Sequence, residues 1–162
     1  MPSPEGARES HETFGVHHVG WWRGGDLATR RACAVRARGD IEGIVASLGS
    51  VPGGGLFITP AAFYTVNRNL IIELTARHRI PAVYYERAFA DSGGLIAYSP
   101  NYGEHFLGAA GYIDRILEGA RPAELPVQIS TKFDLVVNVK AANALGLAVP
   151  QTLLASASEL IE

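Results

Sequence analysis

From Asp40 onward the apolar positions of this chain alternate between two periods, and before it they follow neither. Ile41, Ile44, Val45 and Leu48 fall at i, i+3, i+4 and i+7, one face of a helix that Asp40 is placed to cap and Gly49 to end. Gly55-Leu-Phe-Ile-Thr comes next, a continuous apolar run after Pro52-Gly-Gly, the form of a strand buried in a parallel sheet. Helical spacing returns at Phe63, Val66, Leu70 and Leu74 and stops near His78, ahead of Pro81. Ala82-Val-Tyr-Tyr and Leu95-Ile-Ala-Tyr read as two further strands. Tyr102, Phe106, Ala109, Ile113 and Ile116 mark a long helix that stops at Gly119. Phe133, Leu135, Val137 and Val139 alternate with Asp134, Val136 and Asn138, a strand buried more on one side. Ala141 to Leu145 is a short helix closed by Gly146, and Pro150 to Leu154 starts a last turn or helix.

Strands alternating with helices predict an α/β fold with a largely parallel sheet. In such sheets ligands sit beyond the carboxyl ends of the strands. The candidate binding residues are therefore Thr59, Phe63, Tyr84, Tyr85, Tyr98, Ser99 and Asn101. Tyrosine offers both a stacking face and a hydroxyl, which suits a small solute with an apolar body.

Residues 1–39 read as a divergent, disordered or loosely packed segment. They carry Trp21, Trp22, His11, His17, His18 and Cys33, and Gly20, Gly24 and Gly25 break any helix near the tryptophans. No sustained period of 2 or 3.6 runs from Val19 to Arg38. The histidines and Cys33 match no zinc-ligand spacing.

A length of 162 residues suits one domain, and 48% hydrophobic with 19% charged residues is ordinary for a globular chain. A net charge of −2 gives no reason to expect nucleic acid or an anionic membrane as partner. A single cysteine excludes an internal disulfide. The first residues have neither the basic start nor the apolar run of a signal peptide, and no stretch approaches a membrane span. The chain expressed as given would stay in the cytoplasm. Gly53-Gly-Gly precedes a strand, whereas a phosphate loop follows one. Glu86, Arg87, Asp91, Glu104 and His105 could form an acid–base set, but no motif fixes their spacing, and no catalytic residue, cofactor or metal is expected.

The order and spacing of Gly53-Gly-Gly-Leu-Phe-Ile-Thr-Pro, Asn67 to Tyr84, Ser92 to Asn101 and Thr131 to Lys140 resemble the C-terminal half of ABC transporter substrate-binding proteins. The resemblance is to the type I periplasmic-binding-protein-like branch that takes aromatic amino acids or similar solutes. It implies a parallel-sheet, three-layer α/β lobe, with the first lobe largely missing. Residues 40–162 would form the C-terminal lobe, and 94–119 would pack on the missing first lobe. It also implies a solute held between lobes, an ABC permease as partner, and a periplasmic or extracellular location. The alternatives are a small α/β interaction module that dimerises through a helix over 102–117 and a small α/β enzyme. Between Val16 and Arg38 the family pattern lapses and then returns, and we hypothesise a reading-frame change there, which the nucleotide sequence tests.

Overall fold

The computed structural model of the 162-residue chain describes residues 17–23, 26–50 and 52–162. Among the described residues, seven strands form one sheet in the order β2-β1-β3-β4-β5-β6-β7. They are β1 (His17–Arg23), β2 (Asp26–Val35), β3 (Gly54–Ile58), β4 (Ala82–Tyr84), β5 (Ile96–Pro100), β6 (Phe133–Asn138) and β7 (Glu159–Ile161). β3, β4 and β5 are mutually parallel, as are β6 and β7. β6 runs antiparallel to β5, and β1 is antiparallel to both β2 and β3.

The stretch in which the sequence shows no sustained period thus runs as two paired strands. Long-range pairing supplies the reason, since Val19 to Arg23 align with Ile58 back to Gly54. A strand held on both sides by ladders needs no alternation of its own. Only the backbone positions of His17, His18, Trp21 and Trp22 are described, and His11 lies outside the described residues.

Helix α1 (Arg38–Gly49) buries Ile41, Val45 and Leu48, the face read from the sequence. Asp40 is not its N-cap residue. It stands at the third helical position and reaches back to accept the backbone N–H groups of Arg36 (2.7 Å) and Ala37 (2.9 Å). Those two bonds hold its carboxyl below the usual range. The single helix expected from Phe63 to His78 is two, α2 (Ala62–Val66) and α3 (Arg68–Arg77). Asn67 divides them, its Nδ2 donating to the Phe63 carbonyl at 2.8 Å. Leu74 is buried as expected, but the break at Asn67 exposes Val66 and buries Tyr64, Ile71 and Thr75 instead. A short helix absent from the sequence reading, α4 (Arg87–Asp91), buries Phe89 and Ala90.

The main core cluster lies on one face of the sheet, while Val137 is buried on the other. Val45, Leu48, Leu56, Ile58, Tyr64, Ile71, Leu74, Tyr84 and Phe89 join α1, α2, α3 and α4 to β3 and β4 in one cluster. Helix α5 (Tyr102–Leu117) contrasts with this, since none of its residues is buried. Its tail turns through a 3-10 segment (Pro122–Glu124) before β6. Asn138 ends β6 and caps α6 (Val139–Leu145), with Gly146 left-handed at φ 72° behind it. Pro150 precedes α7 (Gln151–Ser156) as its cap residue.

Candidate functional site

Because β3, β4 and β5 are parallel, their carboxyl ends line one edge of the sheet. The loops after β3 and β4 meet there. Thr59 leaves β3 half-buried, and Phe63 opens the first turn of α2 against the core, edge-on to Tyr64 at 5.7 Å. Tyr85, directly after β4, donates its hydroxyl proton to the Ala61 carbonyl at 3.2 Å. The phenol has one proton to give, so the 2.5 Å contact between Tyr85 and Thr65 is made by Thr65 donating. The Tyr85 ring is therefore pinned, and it packs against Phe89 at 5.6 Å.

The other candidates separate. Tyr84 is 1% exposed, stacked on Phe89 at 4.7 Å and hydrogen-bonded to Thr75 at 3.1 Å. Burial pushes its hydroxyl up to about 12, against the smaller opposite effect of the Thr75 bond. Tyr98 and Ser99 are neighbours on β5 and so point to opposite faces. Ser99 is buried, while Tyr98 is 50% exposed and stacked on Phe133 at 5.2 Å. Asn101 caps α5 by accepting the Glu104 N–H at 3.0 Å. Its amide donates to the Asp134 carboxylate at 3.0 Å, and its N–H donates to the Lys132 carbonyl at 3.0 Å. The structure thus places Thr59 after β3, Phe63 in the first turn of α2 and Tyr85 after β4, with Asn101 at the end of β5 on the same edge. Tyr84 and Ser99 lie inside, and Tyr98 is on the opposite face.

Thr65 and Asp134 belong to this edge and were not singled out from the sequence. Thr65 was within reach, two residues past Phe63 in the same short helix. Asp134 was not, because its meeting with Asn101 depends on the antiparallel register of β6 beside β5, in which Ser99 faces Asp134.

Of the five residues considered for acid–base work, Arg87, Asp91 and Glu104 are engaged in ion pairs. Arg87 binds Glu159 through two bonds, at 2.5 and 2.7 Å, and Asp91 at 3.3 Å. The guanidinium hydrogen bond holds the Glu159 carboxyl below its ordinary value. Glu104 pairs with Lys132 at 2.6 Å. Those two residues, with His105, Gln128, Ser130 and Thr131, line a polar groove of about 260 Å³ beside α5. Among the described residues, no group of three or more His, Cys, Asp or Glu is placed to hold a metal ion. No described helix is long and apolar enough to cross a membrane.

The arrangement is one of walls and short hydrogen-bonded loops at the carboxyl edge of a parallel sheet. Residues 32–161 match the family of ABC transporter substrate binding proteins. The chain belongs to that family. Three solved structures share the fold. A conserved domain protein from Vibrio cholerae O1 biovar El Tor has a TM-score of 0.67 at 22% identity, with 78% of this chain and 42% of that one covered. An ABC domain in complex with L-Trp from Streptococcus pneumoniae has a TM-score of 0.66 at 21% identity, covering 78% and 44%. The ligand-free, open form of a substrate binding protein with adhesive properties from Clostridium difficile has a TM-score of 0.60 at 19% identity, covering 78% and 42%. The chain therefore spans less than half the length of these neighbours. No curated protein matches it.

Proposed function

We propose that this chain supplies one wall of a solute site in an ABC import system, taking a small, aromatic amino-acid-like solute. Residues 40–162 would act as the C-terminal lobe, and 94–119 would pack on a first lobe. The solute would meet Thr59, Phe63, Tyr85 and Asn101 at the carboxyl edge, with Tyr98, Ser99 and Tyr84 supporting the strands that carry them. The observation that carries the reading is the Tyr85 ring, pinned to Ala61 and Thr65 on an edge where open α/β sheets take ligands. The family supplies the setting, and the neighbour holding L-Trp supplies the solute class. In this reading the chain binds and hands over a solute to a permease outside the cytoplasm and catalyses no covalent step.

The test is thermal unfolding against a panel of amino acids including tryptophan, tyrosine and phenylalanine. A solute that binds only the folded state adds about 2.7 kcal/mol at a hundredfold excess over Kd. A shift confined to aromatic solutes and lost in Phe63→Ala supports the proposal. No shift with any of them removes it.

One observation favours a second reading, an interaction module. Helix α5 exposes an apolar stripe, with Phe106 75% and Leu117 81% exposed. Dimerisation through α5 predicts that Phe106→Lys lowers the mass measured by light scattering. A monodisperse monomer with α5 ordered refutes it.

A further inference from the structure

Across the β5–β6 ladder Ser99 stands directly opposite Asp134, and Ala97 opposite Val136. Residues directly opposite in an antiparallel pair share a face, with Cβ atoms roughly 5 Å apart. Ala90 of α4 packs on Ala97 and Val136. The Ser99–Asp134 pair lies on that same face, one pleat nearer the carboxyl end of β5. Tyr85 is on this side as well, since its ring meets Phe89 of α4. From β4 to β6 is two strand spacings, roughly 10 Å, a span that one small solute can bridge with the help of side-chain reach.

Both members of the pair are short of partners. Ser99 is only 4% exposed, yet among the described residues its hydroxyl makes no hydrogen bond. Its Oγ is not sealed off from solvent, so the little surface that Ser99 keeps includes its oxygen. The half-buried Asp134 carboxylate accepts the Asn101 amide, at 3.0 and 3.3 Å. That fills at most two of its roughly four acceptor positions. Among the described residues Asp134 forms no ion pair, because Lys132, two residues earlier, is drawn off to Glu104 at 2.6 Å. A carboxylate and a hydroxyl withdrawn from water without donors cost free energy until a donor arrives.

We propose that Asp134 and Ser99 together hold the ammonium group of the solute, so that the class taken joins an aromatic ring to a protonated amino group. This rests on the solute reading above, and it gives Ser99 a contact in addition to its support of β5. An ammonium brings one positive charge and three N–H donors, which answer a carboxylate and a hydroxyl oxygen that both accept. A hard metal ion is a poorer match. It takes about six or more oxygen ligands, and among the described residues no group of three or more His, Cys, Asp or Glu is placed to supply them. Asn101 fixes the carboxylate from behind, leaving the charge free for the solute.

Nitrogen-15 NMR of the full chain, titrated into the millimolar range with tryptophan, tryptamine and indole-3-propionate, tests this. Tryptophan and tryptamine should bind, and indole-3-propionate, which lacks the ammonium, about tenfold or more weakly. Asp134→Asn keeps an acceptor for the Asn101 amide but loses the charge. It should weaken tryptophan about tenfold and leave indole-3-propionate unchanged, a selective loss that a merely structural role would not give. Ser99→Ala should weaken tryptophan severalfold, and it replaces Asp134→Asn if circular dichroism shows that variant unfolded. Indole-3-propionate binding as tightly as tryptophan, or a variant weakening both alike, overturns the ammonium site and leaves the aromatic solute reading standing. If none of the three binds, the solute reading falls, and ethylammonium decides the rest. Shifts at Ser99 and Asp134 that disappear in Asp134→Asn keep the ammonium site, and no shift there overturns it too.

Discussion

A methyl group added at Gly94 tests how tightly the α4–β5 corner is built. Gly94 is buried, and a Cβ there would lie 2.7 Å from a ring carbon of Tyr84 and 2.8 Å from the Phe89 carbonyl oxygen. Neither neighbour can retreat cheaply. The Phe89 oxygen accepts the N–H of Gly94 itself at 2.8 Å. The Tyr84 ring is held between its stack on Phe89 and its bond to Thr75. Overpacking of this kind costs about 1–3 kcal/mol. The lost flexibility of the unfolded chain returns about 0.4–1 kcal/mol. Gly94→Ala should therefore lose about 1–2 kcal/mol net, and in a chain of this size each kcal/mol lowers Tm by about 2–4 °C. Gly43, on α1 with nothing within 4 Å of an added Cβ, is the control. Gly43→Ala should gain up to about 1 kcal/mol from helix propensity. Urea unfolding followed by far-ultraviolet circular dichroism reads both. A Gly94→Ala midpoint at or above wild type refutes the reasoning, as does a Gly43→Ala loss as large as that of Gly94→Ala.

Asn138→Ala removes both the α6 cap at the Ala141 N–H (2.8 Å) and the buried bond to the Ala90 carbonyl (3.1 Å). The Ala90 carbonyl keeps the Gly93 N–H at 3.0 Å, so the cost should be about 1–2 kcal/mol, a lost cap plus one lost hydrogen bond, read by thermal unfolding. Tyr84→Phe should cost about 1 kcal/mol near neutral pH through the lost Thr75 bond. Tyr84 also sets an alkaline limit. Its folded value, about 12, lies above its ordinary 10, so the folded chain holds this proton more tightly than the unfolded one. That contribution is intact below pH 10 and disappears as pH rises toward 12, and Tyr84→Phe should flatten the fall in Tm over that window. Glu159→Gln should give a small drop in Tm that vanishes in high salt, since the Arg87–Glu159 pair is exposed.

Helix α1 was legible because one face repeats at 3.6 residues, in Ile41, Val45 and Leu48, whereas the five-residue α4 is too short to show a period. The break at Asn67 was not, because the apolar spacing runs on through it while the Asn67 side chain bonds back to Phe63. β1 and β7 owe their existence to partners far along the chain, Gly54–Ile58 and Val136–Asn138 respectively. At the candidate site the sequence placed residues at the ends of strands but did not give their side. Tyr84 and Tyr85 are adjacent, and only the packing of α3 and α4 decides which one enters the core. The same ambiguity separates Tyr98 from Ser99. The apolar stripe of α5 was legible, but that none of its residues is buried was not, because local spacing does not show what a face packs against.

The position of β1 bears on how the chain could be cut. β1 is the first strand among the described residues, yet it lies between β2 and β3 and is hydrogen-bonded to both. A protease acting between β1 and β2 would break one covalent link and leave β1 held by two ladders. Removing β1 altogether would instead detach β2 from the rest of the sheet. Residues 1–23 supplied as a separate peptide to residues 26–162 should therefore restore the sheet by filling its gap, with the N-terminal strand acting as a replaceable part.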